Sequence, residues 1–316
     1  MWLASSLNSS AVIVAGSNGA NGTNSSPEQL RQIASGFNYE NNVIAIEGGA
    51  GVYLGPGTKG DTGYVLTADH LKELTIGSSI TIAGENHKVI SRSQINTSDL
   101  SLYEIGKSRV GKLPDLPTVT IASTHPSIND QILMTGRGTR VQGTDNNSRT
   151  SDMINKGGYD VYEWGPASKT ISFGLNNVAG DIPWAMGNAT AEWTNSLGYK
   201  GSEFYIRFDD PGAGNYTTSW EGMASRGDSG APVFIKRNGI WELSGITSVA
   251  LSNGNQPKDT SGFKNAASFS NLAEYHSDIS KYGNFTLVPE PSTTFLVATG
   301  ATAALIRRKR KQIPPK

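Results

Sequence analysis

The stretch Gly227-Asp228-Ser229-Gly230-Ala231-Pro232-Val233-Phe234-Ile235 decides how the rest of the chain is read. A serine between glycines sits on backbone that can turn tightly, which leaves its hydroxyl exposed. The same glycines let N–H groups converge on one point, the arrangement that stabilises an oxyanion. Gly-Asp-Ser-Gly alone is ordinary turn chemistry. The proline and the apolar run after it make the pattern more specific, and Ala231–Ile235 reads as a strand.

A nucleophilic serine needs a base, and the base needs a third group to hold it. Four histidines are present: His70, His87, His125 and His276. His70 closes Gly63-Tyr64-Val65-Leu66-Thr67-Ala68-Asp69-His70, an apolar run of strand character. His87 lies in a hairpin-like turn, His125 precedes Pro126, and His276 falls in a candidate C-terminal helix, so these three read as structural or solvated. Asp99 opens Asp99-Leu100-Ser101-Leu102-Tyr103-Glu104-Ile105, whose alternation marks a half-buried strand. Each of these residues alone has an ordinary structural reading, a hydrogen-bonded histidine or a strand cap. The order His, Asp, Ser is that of one of the known catalytic triads.

On these segments the chain resembles a trypsin/chymotrypsin-like serine protease. Leu66-Thr67-Ala68-Asp69-His70 is similar to the Leu-Thr-Ala-Ala-His segment of that family, and Asp99–Leu102 to its Asp-Ile-Ala-Leu. Gly227–Pro232 is similar to Gly-Asp-Ser-Gly-Gly-Pro, Gly245–Ser248 to Gly-Ile-Val-Ser, and Met134–Gly138 to Ser-Gly-Trp-Gly. The resemblance covers about residues 42–282. It implies Ser229 as nucleophile, His70 as general base and then acid, and Asp99 as the group orienting the imidazole. It implies an oxyanion hole from the N–H groups of Gly227 and Ser229. Asp228 resembles the aspartate that pairs with a freed N-terminus in some members, and Ile13-Val14-Ala15-Gly16 resembles such an N-terminus.

The departures carry information of their own. Asp69 stands where a small residue is usual. Adjacent strand residues point to opposite faces, so Asp69 is a poor substitute for Asp99. A second carboxylate near the histidine would raise its pKa if partly desolvated. With no cysteine, none of the family's disulfides exists. Met223, six residues before Ser229, replaces the aspartate of trypsin-like members, and Ala250 stands where glycine is common. Met223, Ser248, Val249 and Ala250 are therefore expected to line an apolar, narrowed substrate pocket.

Short strand-like runs punctuated by turn residues fill the body, among them Val43–Glu47, Tyr64–Ala68, Ile80–Ala83, Thr118–Ala122, Ile132–Thr135, Lys169–Phe173, Glu203–Phe208 and Trp241–Val249. Spacing of this kind indicates an all-β barrel or sandwich without βαβ units. Two helices are expected, one at Pro27–Ala34 capped by Ser26 and one at Ser270–Ile279. No His, Asp or Glu cluster has metal-ligand spacing, so neither metal nor cofactor is implied.

The C-terminus carries a second signal. Val288-Pro289-Glu290-Pro291 precedes the uncharged stretch Thr294–Ile306 and then Arg307-Arg308-Lys309-Arg310-Lys311. A short apolar span followed by a basic cluster reads as a membrane stop whose basic end stays cytoplasmic. The layout resembles the bacterial PEP-CTERM sorting signal. That implies recognition of Pro289, Glu290 and Pro291 by an exosortase-type membrane enzyme, and delivery to the cell surface or extracellular matrix. The chain balances 27 basic against 27 acidic residues; removing residues 289–316 leaves 21 against 26, a formal charge of −5. An acidic body does not point to nucleic acid. No basic residue precedes the apolar Ala11–Gly16 segment. The expectation is that the true start lies upstream and supplies the basic region of a signal peptide.

The expected organisation is an N-terminal leader or propeptide over 1–41, largely irregular, then a protease domain over 42–287. Two antiparallel six-stranded β-barrels, about 42–125 and 126–270, are followed by a short C-terminal helix, and a transmembrane sorting helix falls within 288–312. The expected activity is that of an exported serine endopeptidase acting on polypeptides. A catalytically inactive protease-fold matrix or adhesion protein, and an esterase with the same triad, remain open alternatives.

Overall fold

The computed structural model describes residues 12–15, 34–141, 154–156, 158–167, 171–179, 190–194, 199–210, 218, 220–252, 256–283 and 285. The sorting motif at Pro289, Glu290 and Pro291, the apolar span after it and nearly all of the Pro27–Ala34 helix lie outside them.

After β1 (Ile13–Ala15) the first lobe is built from β2 (Val43–Ile46), β3 (Gly49–Pro56), β4 (Thr62–Thr67), β5 (Ser79–Ile82), β6 (Glu85–Gln94) and β7 (Ser101–Ser108). These six form one antiparallel sheet in the order β2-β3-β4-β7-β6-β5, and its edge strands β2 and β5 return against each other. The second lobe holds β8 (Gln131–Gly136), β9 (Thr139–Val141), β10 (Ile154–Lys156), β11 (Tyr159–Ala167), β12 (Ser172–Asn177), β13 (Thr190–Thr194) and β14 (Lys200–Arg207). It continues with β15 (Glu221–Met223), β16 (Pro232–Arg237), β17 (Ile240–Leu251), β18 (Thr260–Gly262), β19 (Ala266–Asn271) and the helix α1 (Leu272–Ile279).

The second sheet departs from the expected six strands. It runs β1-β15-β12-β8-β16-β17-β19-β14-β13, nine strands, and β10, β11, β18 and β9 form a separate small sheet. Six of the nine, β12 to β14 along that path, curl into a barrel-like unit, since a bridge joins Val178, just past β12, to Ile206 in β14. The additions are β13 on one edge and β15 with β1 on the other. The β15·β12 pair is parallel at Leu175↔Glu221, against the purely antiparallel expectation. Ile13–Ala15, read as part of an irregular leader, is a strand because Val12, Ile13 and Val14 bury themselves in the second-lobe core. Thr118–Ala122, read as a strand, is an extended linker. It hydrogen-bonds Leu54 of the first lobe and Leu243 of the second.

Alternation explains why so many runs are apolar without a break. In β4, Val65 belongs to the first-lobe core and Leu66 to a cluster between the lobes. In β16, Val233 and Ile235 enter the second-lobe core while Phe234 faces the interlobe cluster. Successive residues point to opposite faces, and both faces are covered, so both must be apolar. Residues 34–42 join the interlobe cluster through Tyr39, with Phe37 packed against it, edge-on to Phe234 and Trp241. Helix α1 starts at Asn271, whose side chain caps Ala273 N–H, and buries Leu272, Tyr275 and Ile279 in the same cluster. Among the described residues no helix is long and apolar enough to cross a membrane.

Candidate active site

Strand register brings the first two candidates together. Thr67, the last residue of β4, pairs with Ser101, the first of β7. The turn just after β4 therefore lies beside the residues just before β7. Asp69 N–H donates to the Asp99 carbonyl at 3.3 Å. His70 N–H donates to Asp99 Oδ1 at 2.9 Å, and His70 Nδ1 lies 2.7 Å from Asp99 Oδ2. The Asp99 side chain is 3% exposed and that of His70 19%. An ionised Asp99 only accepts, so Nδ1 carries the hydrogen and Nε2 of a neutral imidazole is left as an acceptor. Ser248 in β17 donates its hydroxyl to Asp99 Oδ2 at 2.9 Å, a contact contributed by the second lobe.

Ser229 sits in the turn that leads into β16, half-buried, between Gly227 at φ +91° and Gly230 at φ +80°. Both glycines occupy the left-handed region, which costs a residue with a Cβ. A side chain at Gly230 would also collide with the Ala50 carbonyl and Thr67 Oγ1. The turn is seated on the first lobe: Ser229 C=O accepts from Ala50 N–H at 2.8 Å. Thr67 Oγ1 donates to the Ala50 carbonyl at 2.6 Å. The serine turn thus rests on strands β3 and β4, three residues before His70. Among the described residues, none accepts from the N–H groups of Gly227 and Ser229. Gly230 N–H is taken by Thr247 and Asp228 N–H by Ser225.

Asp228, the residue before Ser229, is 1% exposed. Its carboxylate accepts from Gly138 N–H at 2.8 Å, from Ser225 N–H at 2.7 Å and from the Ser225 hydroxyl at 3.0 Å. Arg137 N–H also donates to it. These donors belong to the chain interior, while β1 runs beside β15 as an ordinary strand.

Of the expected pocket residues, Met223 belongs to the second-lobe core and Ala250 packs on it. Met223 is 1% exposed in the second-lobe core, with Ile13 as its register partner. Ser248 gives its hydroxyl to Asp99. Val249 and Ala250 are half-buried, and Ala250 packs on the second-lobe core. Asp69 binds Arg92 Nη2 at 2.5 Å and the Ser101 hydroxyl. Arg92, Ser101 and Tyr199, which also reaches Asp69, were not singled out from the sequence. Their partnership depends on strand register and lobe packing, and no motif marks it.

Two carboxyls in the chain segment that leads to Ser229 are buried. Burial pushes Asp228 up to about 7 against the hydrogen bonds it accepts. Burial pushes Glu221 up to about 8, against donors that include Thr218 N–H at 2.9 Å and Asp209 N–H at 3.2 Å. Unfolded, both titrate near ordinary carboxyl values, so the fold favours their protonated forms. Their contribution to stability is complete below about pH 4 and is lost as pH rises through about 7 and about 8. The thermal midpoint is expected to fall from pH 5 to pH 9, and to fall less steeply in Glu221→Gln. Parallel melting profiles for the two proteins would refute this origin.

No protein-family model and no curated protein matches the chain. Similar solved structures include the inactive form of the Rv3671c protease of M. tuberculosis H37Rv, at 13% identity. That likeness covers 78% of this chain and 90% of that one, with a TM-score of 0.43. Another is neuropsin, a serine protease expressed in the limbic system of mouse brain. It is 16% identical over 77% of this chain and 94% of that one, with a TM-score of 0.47.

Proposed function

We propose that the chain is a serine-type endopeptidase with Ser229 as nucleophile, His70 as general base and Asp99 as the group that orients His70. The observation that carries this reading is the paired contact of His70 with Asp99, through backbone N–H at 2.9 Å and through Nδ1 at 2.7 Å. That contact leaves Nε2 as a base, and the neighbouring strand ends seat the Ser229 turn.

Ser229 Oγ attacks the peptide carbonyl and His70 Nε2 takes its proton. The N–H groups of Gly227 and Ser229 receive the developing oxyanion. His70 then returns the proton to the departing amine, which leaves an acyl-enzyme. Water, deprotonated by the same imidazole, releases the acid and frees Ser229. Val249 and Ala250 supply apolar surface at the substrate cleft, which favours an uncharged residue before the scissile bond. The same reading includes export: Pro289-Glu290-Pro291 with its apolar span and basic end is the address for a membrane sorting enzyme, and the mature protein works at the cell surface or in the surrounding matrix.

One experiment tests both parts. The gene is expressed in full, and the protein recovered from the surface of its producing cell is treated with a fluorophosphonate and its peptides are weighed. The expected result is a phosphonyl adduct on Ser229 in a chain that ends near Pro291. A folded protein that takes no label overturns the enzymatic reading in favour of an inactive protease fold. A surface form that keeps Arg307–Lys311 overturns the sorting reading. Label without cleavage of peptide amides, but with cleavage of esters, replaces the peptidase by an esterase.

A further inference from the structure

Asp69, the residue directly before His70, is built into the site as thoroughly as Asp99, yet on the opposite side of the chain. Its side chain is 6% exposed. Its carboxylate accepts from Arg92 Nη2 at 2.5 Å and from the Ser101 hydroxyl, and Arg92 Nε in turn donates to Ser101 Oγ at 3.0 Å. The dipeptide Asp69-His70 and the segment Asp99–Ser101 are therefore laced in both directions. Asp69 N–H and His70 N–H donate to Asp99, and Ser101 donates back to Asp69. All of these groups belong to the first lobe.

The second lobe reaches both carboxylates. Ser248 of β17 holds Asp99. Tyr199, immediately before β14, donates its phenol hydroxyl to Asp69 and lies close enough to feel the charges of Asp99 and Arg92. Burial and the neighbouring carboxylates push that phenol up to about 12, so it remains a donor throughout the working range. Around this group the other charged or titratable neighbours are Glu73, 3.2 Å from Arg92 Nη1, and Tyr103, whose oxygen accepts from Leu74 N–H.

We propose that Asp69 and Tyr199 are positioning residues: together they form an interlobe latch that fixes the His70 turn of the first lobe against the lobe that carries Ser229. The Asp69 carboxylate is held by Arg92 and Ser101, while the imidazole is held by Asp99, so Asp69 acts on the backbone that carries His70 and takes no proton from substrate. A hydrogen bond from a neutral hydroxyl to a buried carboxylate holds distance and angle without adding charge. Transfer between Ser229 and His70 crosses the lobe boundary, so its rate is sensitive to displacements that substrate binding tolerates.

The inference rests on the endopeptidase reading, and the test separates the two. Full-length wild type, Tyr199→Phe and Asp69→Asn are compared by the rate of fluorophosphonate labelling, by kcat and KM on a peptide substrate, by pH profile and by thermal melt. Tyr199→Phe removes one hydroxyl and no charge. It is expected to label about 10-fold more slowly and to lose about 10-fold in kcat. Its KM should change less than twofold, with the acid limb of kcat/KM unmoved. Asp69→Asn removes the buried counter-charge of Arg92 and leaves only the exposed Glu73 to balance it, which disfavours the imidazolium; its acid limb should shift to lower pH. Wild type that does not label ends the parent reading. Wild type that labels, with Tyr199→Phe labelling at the same rate, ends the latch alone. A Tyr199→Phe protein with raised KM and intact kcat also overturns it, because Tyr199 would then be a substrate contact. Should Asp69→Asn fail to fold, Tyr199→Phe still decides.

Discussion

Ser229→Ala is expected to lower kcat/KM for a peptide substrate by on the order of 10⁶, with His70→Ala close behind and the double variant no lower than either. The non-additivity follows from the proposed chemistry. Ser229 Oγ is a poor nucleophile until a base removes its proton, and His70 has no proton to take once the hydroxyl is gone. Each residue alone therefore disables the same step. About 10³- to 10⁴-fold acceleration over water should survive in every variant, because the N–H groups of Gly227 and Ser229 are backbone and remain in place. Ser229→Ala should melt at the temperature of the parent, since its fold contact is through the carbonyl to Ala50 N–H. Initial-rate kinetics on the two single variants and the double variant check this. Retention of more than a few per cent of activity in Ser229→Ala would remove the nucleophile assignment, and fully additive losses would remove the shared step.

The second large effect is expected from Asp99→Asn, a loss of about 10⁴ in kcat at neutral pH with the fold kept. The hydrogen bonds say why. Asp99 Oδ1 accepts from His70 N–H, while Oδ2 accepts both from His70 Nδ1 and from the Ser248 hydroxyl. Asparagine offers one oxygen and one NH₂. With its oxygen kept toward the backbone N–H, the amide NH₂ faces Nδ1 and turns that nitrogen into the acceptor. The hydrogen moves to Nε2, the atom that must receive the serine proton. If the amide is reversed, the His70 backbone N–H loses its acceptor in a buried place, at a cost of about 1–3 kcal/mol. Nitrogen-15 chemical shifts of the imidazole would report the tautomer directly. An Nδ1–H imidazole in an inactive Asp99→Asn protein would contradict this account of the loss.

The two candidates that the first lobe contributes are legible in the sequence because they sit at strand ends. Val65-Leu66-Thr67 and Leu100-Ser101-Leu102 read as strands, and His70 and Asp99 flank them at fixed short offsets. Once β4 and β7 pair, the meeting of the two residues is a matter of register. Ser229 is legible for a different reason, since glycines on both sides mark backbone that only they adopt without strain. The partners of Asp69 have no such mark. Arg92 lies on another strand and Tyr199 in another lobe, and a lone arginine or tyrosine in a chain of this size reads as surface or core. The burial of Met223 beside Ile13 in the second-lobe core is likewise set by packing and carries no mark in the sequence.

By itself the sequence determines the all-β class and the local conformation of the serine turn. Each depends on contacts between near neighbours, on period-two alternation or on the backbone freedom of glycine. Only the tertiary structure decides that β1 extends the second sheet and that β15 joins it in parallel. It also decides that Ser248 and Tyr199 reach across to Asp99 and Asp69. Those outcomes depend on which buried face meets which. Three-residue strands and single polar side chains carry too little apolar pattern to choose a partner before the two lobes pack.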